Sequence, residues 1–262
     1  MTDHALRAAG GSRTAHRLAE LGVALAAIAL VLLALAPLGW REGWWHFRTA
    51  FFTLMQYSAY IGAAAAVVSL IAVVAALVTS HRRTALFAAA GLIVGAALAY
   101  VPWSYWHITT VLPRIHDITT DTDNPPTFSA VMPARAAEKA ATVVYGGPEL
   151  AAKQKQAYPD IVPVITALAP ADAFGRALDT AQSLGWTIVV SDPTQGRIEA
   201  SQTSFWFHFT DDVSIRVEAR PDGQPGSRID IRSISRQGLH DFGVNAARIR
   251  TYIAALKKQP GI

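Results

Sequence analysis

Three groups of residues in this chain carry side chains that could do chemistry. Asp117, Asp121 and Asp123 fall in one short run beside Pro125 and Pro126. Hard cations such as calcium take several carboxylate oxygens, yet the glycine and the closing glutamate of a calcium loop are missing. Asp beside proline also forms turns by bonding its own backbone. The second group is Arg216, Arg232, Ser233, Ser235, Arg236, Asp241, Asn245 and Arg248. Free N–H groups at a helix start, flanked by arginines, would receive an anionic ligand, and these eight residues are the expected ligand-binding set. The same residues can instead close an internal network, with Asp211, Asp212, Asp230 and Asp241 paired to Arg216, Arg232, Arg236 and Arg248. Arg236 separates the two readings. Its removal would be nearly neutral at an open site but would cost about 3–5 kcal/mol if it is buried against Asp241 or Asp211. The third group, Asp211, Asp212, His240 and Asp241, would serve an envelope-associated hydrolase. No metal-binding histidine pair, nucleophile elbow, phosphate loop or dinucleotide fingerprint accompanies it. No catalytic, cofactor-binding or metal residue is therefore expected, and His208 reads as a surface strand residue.

The elements that must position these groups are legible in the apolar pattern. Phe174, Ala177, Leu178, Ala181 and Leu184 share one face of a helix over 171–184, ended by Gly185. Four strands follow, over 186–191, 197–208, 213–220 and 228–236. Phe205, Phe207 and Phe209 alternate in the second, and Val213, Ile215 and Val217 in the third. A last helix over 241–258 has Asp241 as its N-cap and Phe242, Ala246, Ile249, Ile253 and Leu256 as its apolar stripe. The order helix, four-stranded antiparallel sheet, helix predicts an α+β two-layer domain over residues 146–262. Residues 107–145, rich in proline, predict an extended linker.

Ahead of this domain lie three uncharged apolar stretches, Leu21 to Leu38, Tyr60 to Leu77 and Ala85 to Val101. A helix needs about 20 apolar residues to span the hydrocarbon, with a lower limit near 17, so residues 1–106 predict an α-helical anchor of three transmembrane helices. The first reads as a retained anchor, since Pro37, Leu38, Gly39 and Trp40 make a poor signal-cleavage site. Arg7, Arg13 and Arg17 precede the first span, and Arg82 and Arg83 separate the second from the third. Lys- and Arg-rich flanks stay in the cytoplasm, which predicts a cytoplasmic N-terminus and a C-terminal domain outside, periplasmic in a bacterium. Arg41 and Arg48 lie on the opposite side. Trp40, Trp44, Trp45, Tyr57, Tyr100, Trp103, Tyr105 and Trp106 would ring the outer interface, and 40–48 reads as a loop or short amphipathic turn there. Ser58, Gly62 and Ala66 on the second span, and Gly91, Gly95 and Ala99 on the third, allow close helix approach. That serves packing within the bundle or a homodimer through Gly91 and Gly95. No ionisable group lies at depth, so an anchor is expected and not an ion pathway.

Residues 1–106 hold seven Lys or Arg against three Asp or Glu, so the formal net charge of +4 belongs wholly to the membrane part. The remainder is balanced and gives no nucleic-acid footprint. The absence of cysteine excludes disulfides, thiolate catalysis and cysteine zinc sites.

Four blocks carry a family resemblance: IHDITTDTDNPPTF at 115–128, RIEAS at 197–201, DDVSIRVEAR at 211–220 and DIRSISRQGLHDFGVNAARIRTYI at 230–253. They resemble domain-of-unknown-function family 1499 over about residues 113–258. The resemblance implies the domain without implying a reaction, cofactor or site residue. Together these readings predict a bacterial inner-membrane protein that presents a periplasmic α+β domain to a ligand or partner, an envelope protein or an anionic group.

Overall fold

The structure is a computed structural model. It describes residues 3–238 and 240–262, without the side chains of residues 3–10 and Thr109, so Arg7 lies outside them. The chain divides into two units, Met1–His107 and Ile108–Ile262.

The first unit is helical: α1 (Asp3–Arg41), a short α2 (Phe47–Thr49) running through a π-helical turn (Ala50–Leu54) into α3 (Met55–Val78), and α4 (Arg82–Val111). Three candidate spans, Gly11–Arg41, Phe47–Val78 and Arg82–Ile108, are long and apolar enough to cross a bilayer. Small residues bring the helices together. A Cβ on Gly22 or Gly91 would collide with the side chain of Ser69, and one on Gly95 would sit 2.8 Å from the Gly62 carbonyl oxygen. Gly91 and Gly95 are thus both packed against neighbours of the same chain. Ser58 donates to the Ala29 carbonyl at 2.8 Å. Of the 40–48 segment, 42–46 form a turn between α1 and α2, and its Trp45 indole donates to the Ala36 carbonyl at 3.2 Å.

The second unit is one sheet with helices packed around it. Its elements are β1 (Asp117–Thr119), α5 (Met132–Ala137), α6 (Gly147–Ala157), β2 (Val164–Thr166), α7 (Pro170–Ser183), β3 (Thr187–Asp192), β4 (Arg197–Thr203), β5 (Thr210–Ala219), β6 (Ser227–Ser235) and α8 (Val244–Leu256). The sheet has six strands where four were expected, all antiparallel, in the order β1-β6-β5-β4-β3, with β2 also paired to β6. β1 and β2 share one edge of β6: Asp117 pairs with Ile234, and Val164 with Ile229. Between β3 and β4 the Asp192 carboxylate accepts from the Thr194 and Gln195 N–H groups, and Gly196 takes φ +61° beneath the Val217 carbonyl, where no Cβ fits.

Alternation along the strands sends Ile198, Ala200, Val213, Ile215, Val217, Ile229 and Ile231 into one core with Phe174, Ala177 and Ala181 of α7 and Ala246, Ile249, Tyr252 and Leu256 of α8. Trp186 stacks on Tyr252 at 5.1 Å between ring centroids, and the Tyr252 hydroxyl donates to the Ala177 carbonyl at 2.8 Å. α7 starts at Pro170 after an extended Ala169, and Gly185 follows at φ +74°.

Two further expectations are corrected. Within the expected linker 107–145, residues 117–119 form β1 of the sheet, and 120–145, with α5, lie over its second face. The alternation of Phe205, Phe207 and Phe209 does not make a strand. β4 ends at Thr203, and 204–209 form a turn with His208 at φ +52°. Phe207 is buried and stacks on Phe209, while Phe205 and Trp206 stand out of the surface.

Candidate functional site

Strand geometry places successive residues on opposite faces. In register, Ser201 pairs with Asp212, Glu199 with Ser214 and Arg197 with Arg216 between β4 and β5. Between β5 and β6, Ser214 pairs with Arg232, Arg216 with Asp230 and Glu218 with Arg228. All these residues lie on the face away from α7 and α8. That face would normally be wet, but here the 120–145 segment closes over it. Glu199, Asp212 and Asp230 are fully buried, and Arg135, Arg232 and Arg236 nearly so.

Each buried charge has fixed partners. Asp212 receives Arg236 through Nε at 2.9 Å and Nη2 at 2.7 Å, Arg135 Nη1 at 2.7 Å and Ser201 Oγ at 2.7 Å. Burial pushes its carboxyl up, but the hydrogen bonds from Arg236, Ser201 and Arg135 and the Arg236 charge outweigh it, leaving the group below its ordinary value. Arg232 meets Asp117 bidentately, Nε to Oδ1 at 2.9 Å and Nη2 to Oδ2 at 2.7 Å. It also donates to the carbonyls of Pro126 at 3.2 Å and Val143 at 2.6 Å, between the rings of Phe128 and Tyr145. Burial, then the Asp117 charge, pushes the Tyr145 hydroxyl up to about 12. Glu199 accepts from the Ser129 N–H at 2.9 Å, the Ser129 hydroxyl at 3.0 Å and the Val131 N–H at 3.0 Å. At the rim, Arg216 and Arg228 both bond Asp121 and Asp230.

A second network lies on the opposite face, where β6 leads to α8. Arg248 donates to Gln202 Oε1 at 2.7 Å, Ser233 Oγ at 3.0 Å and Asn245 Oδ1 at 2.6 Å, and pairs with Asp211. Asn245 Nδ2 donates to Ser235 Oγ at 2.9 Å and to the His116 carbonyl at 3.0 Å. Asp241 accepts from the backbone N–H groups of Gly243 at 3.0 Å and Asn245 at 2.7 Å, so it fastens the start of α8 from one turn ahead. Its carboxyl is pushed up by burial and by the Asp211 charge, against those two N–H bonds.

The eight expected ligand residues therefore divide. Arg216, Arg232 and Arg236 lie in the covered face; Ser233, Ser235, Asp241, Asn245 and Arg248 lie in the junction. Within the expected pool of four aspartates and four arginines, Arg216 meets Asp230 and Arg248 meets Asp211, while Arg236 is buried against Asp212 and not against Asp241 or Asp211. Arg232 pairs instead with Asp117, and Asp241 bonds backbone. Sequence reasoning missed Arg135 and Glu199, whose partners stand far away along the chain, and Gln154, whose buried amide accepts from the Thr119 N–H and donates to the Thr119 carbonyl, at 3.0 and 2.6 Å.

The other groups also have local roles. Asp121 accepts from the Asp123 and Asn124 N–H groups in a turn, and Asp123 is exposed beside Lys155. Among the described residues no group of three or more His, Cys, Asp or Glu could hold a metal ion. Asp211 and Asp212 point to opposite faces, each held by arginine, so the two do not converge on one reacting centre. His240 Nδ1 accepts from the Phe242 N–H at 3.1 Å and its ring meets Phe242 edge-on. A groove of about 340 Å³ lies between Val111, Pro113, Lys153, Gln156 and Ala157, with Lys153 its charged group.

No curated protein matches the chain. A family model matches residues 117–256, more than half of the chain, from the first residue of β1 to the last of α8 and through the covering segment. The chain therefore belongs to the family described as protein of unknown function (DUF1499).

Proposed function

We propose that this protein is a membrane-anchored display module. Three spans hold the DUF1499 domain on the outer face of the membrane, the periplasmic face of a bacterial inner membrane, where it binds an envelope protein or an anionic ligand. The observation that favours this reading over a hydrolase is the saturation of the buried charges. Asp211, Asp212, Asp117 and Asp230 are each held by arginine in direct ion pairs. Carboxylates held in this way serve as a rigid frame and are poorly placed to exchange protons with a substrate. The orientation rests on the arginines Arg13, Arg17, Arg82 and Arg83 on one side of the spans.

Two C-terminal reporter fusions test the orientation. An alkaline phosphatase fused after Ile262 should be active and a cytoplasm-only fluorescent reporter silent; the reverse would overturn it. For the binding reading, the purified full chain should leave envelope esters, peptides and glycans intact. Turnover abolished by Asp211→Asn would replace it with the hydrolase reading.

A further inference from the structure

The turn between β4 and β5 reads Thr203-Ser-Phe-Trp-Phe-His-Phe-Thr210, without an acidic residue, lysine or arginine. It is a built turn: Ser204 N–H donates to the Phe209 carbonyl at 2.8 Å, His208 N–H to the Ser204 carbonyl at 3.0 Å, and Phe209 N–H to Ser204 Oγ at 3.0 Å. Two of its aromatic rings hold it together, Phe207 stacked on Phe209. The other two are presented outward, Phe205 at 86% and Trp206 at 51% exposure. Leaving two large aromatics in water at the tip of a fixed turn calls for an apolar occupant.

The strand register identifies that occupant. Ser235 N–H bonds the His116 carbonyl, and Arg236 N–H bonds the Thr210 carbonyl, which itself lies in register with Thr203. His116 and the root of the turn therefore stand in one row across the same end of the sheet, two to three strand spacings apart, or roughly 10–15 Å. His116 is also where the chain arrives from the third span. Residues 84–113 contain no charge; at 1.5 Å per residue such a helical length reaches about 45 Å, the full bilayer with its headgroups. The uncharged length thus ends at Arg114, two residues ahead of His116 in the chain.

We propose that Phe205 and Trp206 insert into the interfacial layer of the bilayer in which the chain is anchored, giving the domain a second lipid contact besides its spans. Phe and Trp suit that layer, where side chains enter ~5–10 Å into the headgroup and acyl boundary. The contact holds whichever side of the membrane the domain occupies.

The chain has no cysteine, so Phe205→Cys and Gln224→Cys each give a single labelling site. Gln224 is exposed in the β5–β6 turn at the far end of the sheet. Each full-length variant is labelled with an environment-sensitive fluorophore and reconstituted into phosphatidylcholine vesicles, with iodide on both sides. The proposal expects the label at 205 to be quenched by lipids carrying a shallow nitroxide and to be several-fold less quenched by iodide than the label at 224. Equal iodide quenching at the two positions would overturn it. So would protection from iodide without quenching by nitroxide lipid, which would mark a protein surface as the occupant.

Discussion

The two faces of this sheet are buried by opposite means. On one, α7 and α8 press alanine, isoleucine and aromatic side chains onto the strands. On the other, a segment with little regular structure closes over a layer of arginines and carboxylates. The first face gains from removing apolar surface from water, a non-directional force that tolerates small shifts. The second gains only where geometry is met, because each buried charge costs more than its partner returns unless every donor and acceptor is placed. The helix face therefore holds the domain together, and the covered face fixes its shape.

That difference can be broken from either side. The largest expected effect is Asp212→Ala, which leaves Arg135 and Arg236 buried without their carboxylate and should cost about 3–5 kcal/mol. Chemical denaturation of the full chain in detergent would measure it, and a loss below that of a surface mutant would reject the frame. Replacing Asp117 and Arg232 together by Leu and Met should recover most of what Asp117→Ala alone loses, because no orphan charge remains. On the helix face, Ile215→Ala should cost about 2–5 kcal/mol, set by the cavity it leaves. Tyr252→Phe, which removes a second hydrogen bond to the Ala177 carbonyl, should cost about 0.5–1.5 kcal/mol in the same assay.

Acid sharpens the contrast. Asp212 is held below its ordinary value, so its contribution is complete above the unfolded value near 3.9 and is lost as pH falls through the folded one. Asp241 is raised, so its contribution is complete below that unfolded value and is lost as pH rises through the folded one. Melting temperature against pH should therefore lose part of its acid limb in Asp212→Asn. In Asp241→Asn it should instead flatten above about pH 4. The smallest effect is Arg220→Ala, which removes a solvent-exposed pair with Asp222 and should leave the melting temperature unchanged.

What was legible in the sequence follows the same division. α7, β3, β5, β6 and α8 announce themselves because an apolar face needs periodicity. The ends of β4 and β5 misled, since alternate phenylalanines from 205 to 209 imitate a strand while His208 adopts a left-handed turn. β1 and β2 stayed hidden because each is three residues long and carries no clear alternation. The covering segment read as a linker because its place is set by single hydrogen bonds, such as Val131 to Glu199 and Arg232 to Pro126, and these leave no period. Charge balance made pairing among these arginines and aspartates legible, but not which pairs with which, and Arg236 meets Asp212 where Asp241 or Asp211 was expected. Asp117 as the partner of Arg232, and Arg135 as a second partner of Asp212, could not be anticipated, because each joins residues far apart in sequence.

The amide of Gln154 carries one more consequence. By occupying the outward N–H and C=O of Thr119, it completes the border of the sheet with a side chain in place of another strand. At that position the border offers no template to a neighbouring molecule, which protects against edge-to-edge aggregation. Among the described residues no side chain caps the opposite border, β3, where the irregularity between Ile188 and Val190 spoils the register for an incoming chain. Crowded copies of this protein, fixed in one membrane plane, would otherwise meet at those borders at high local concentration.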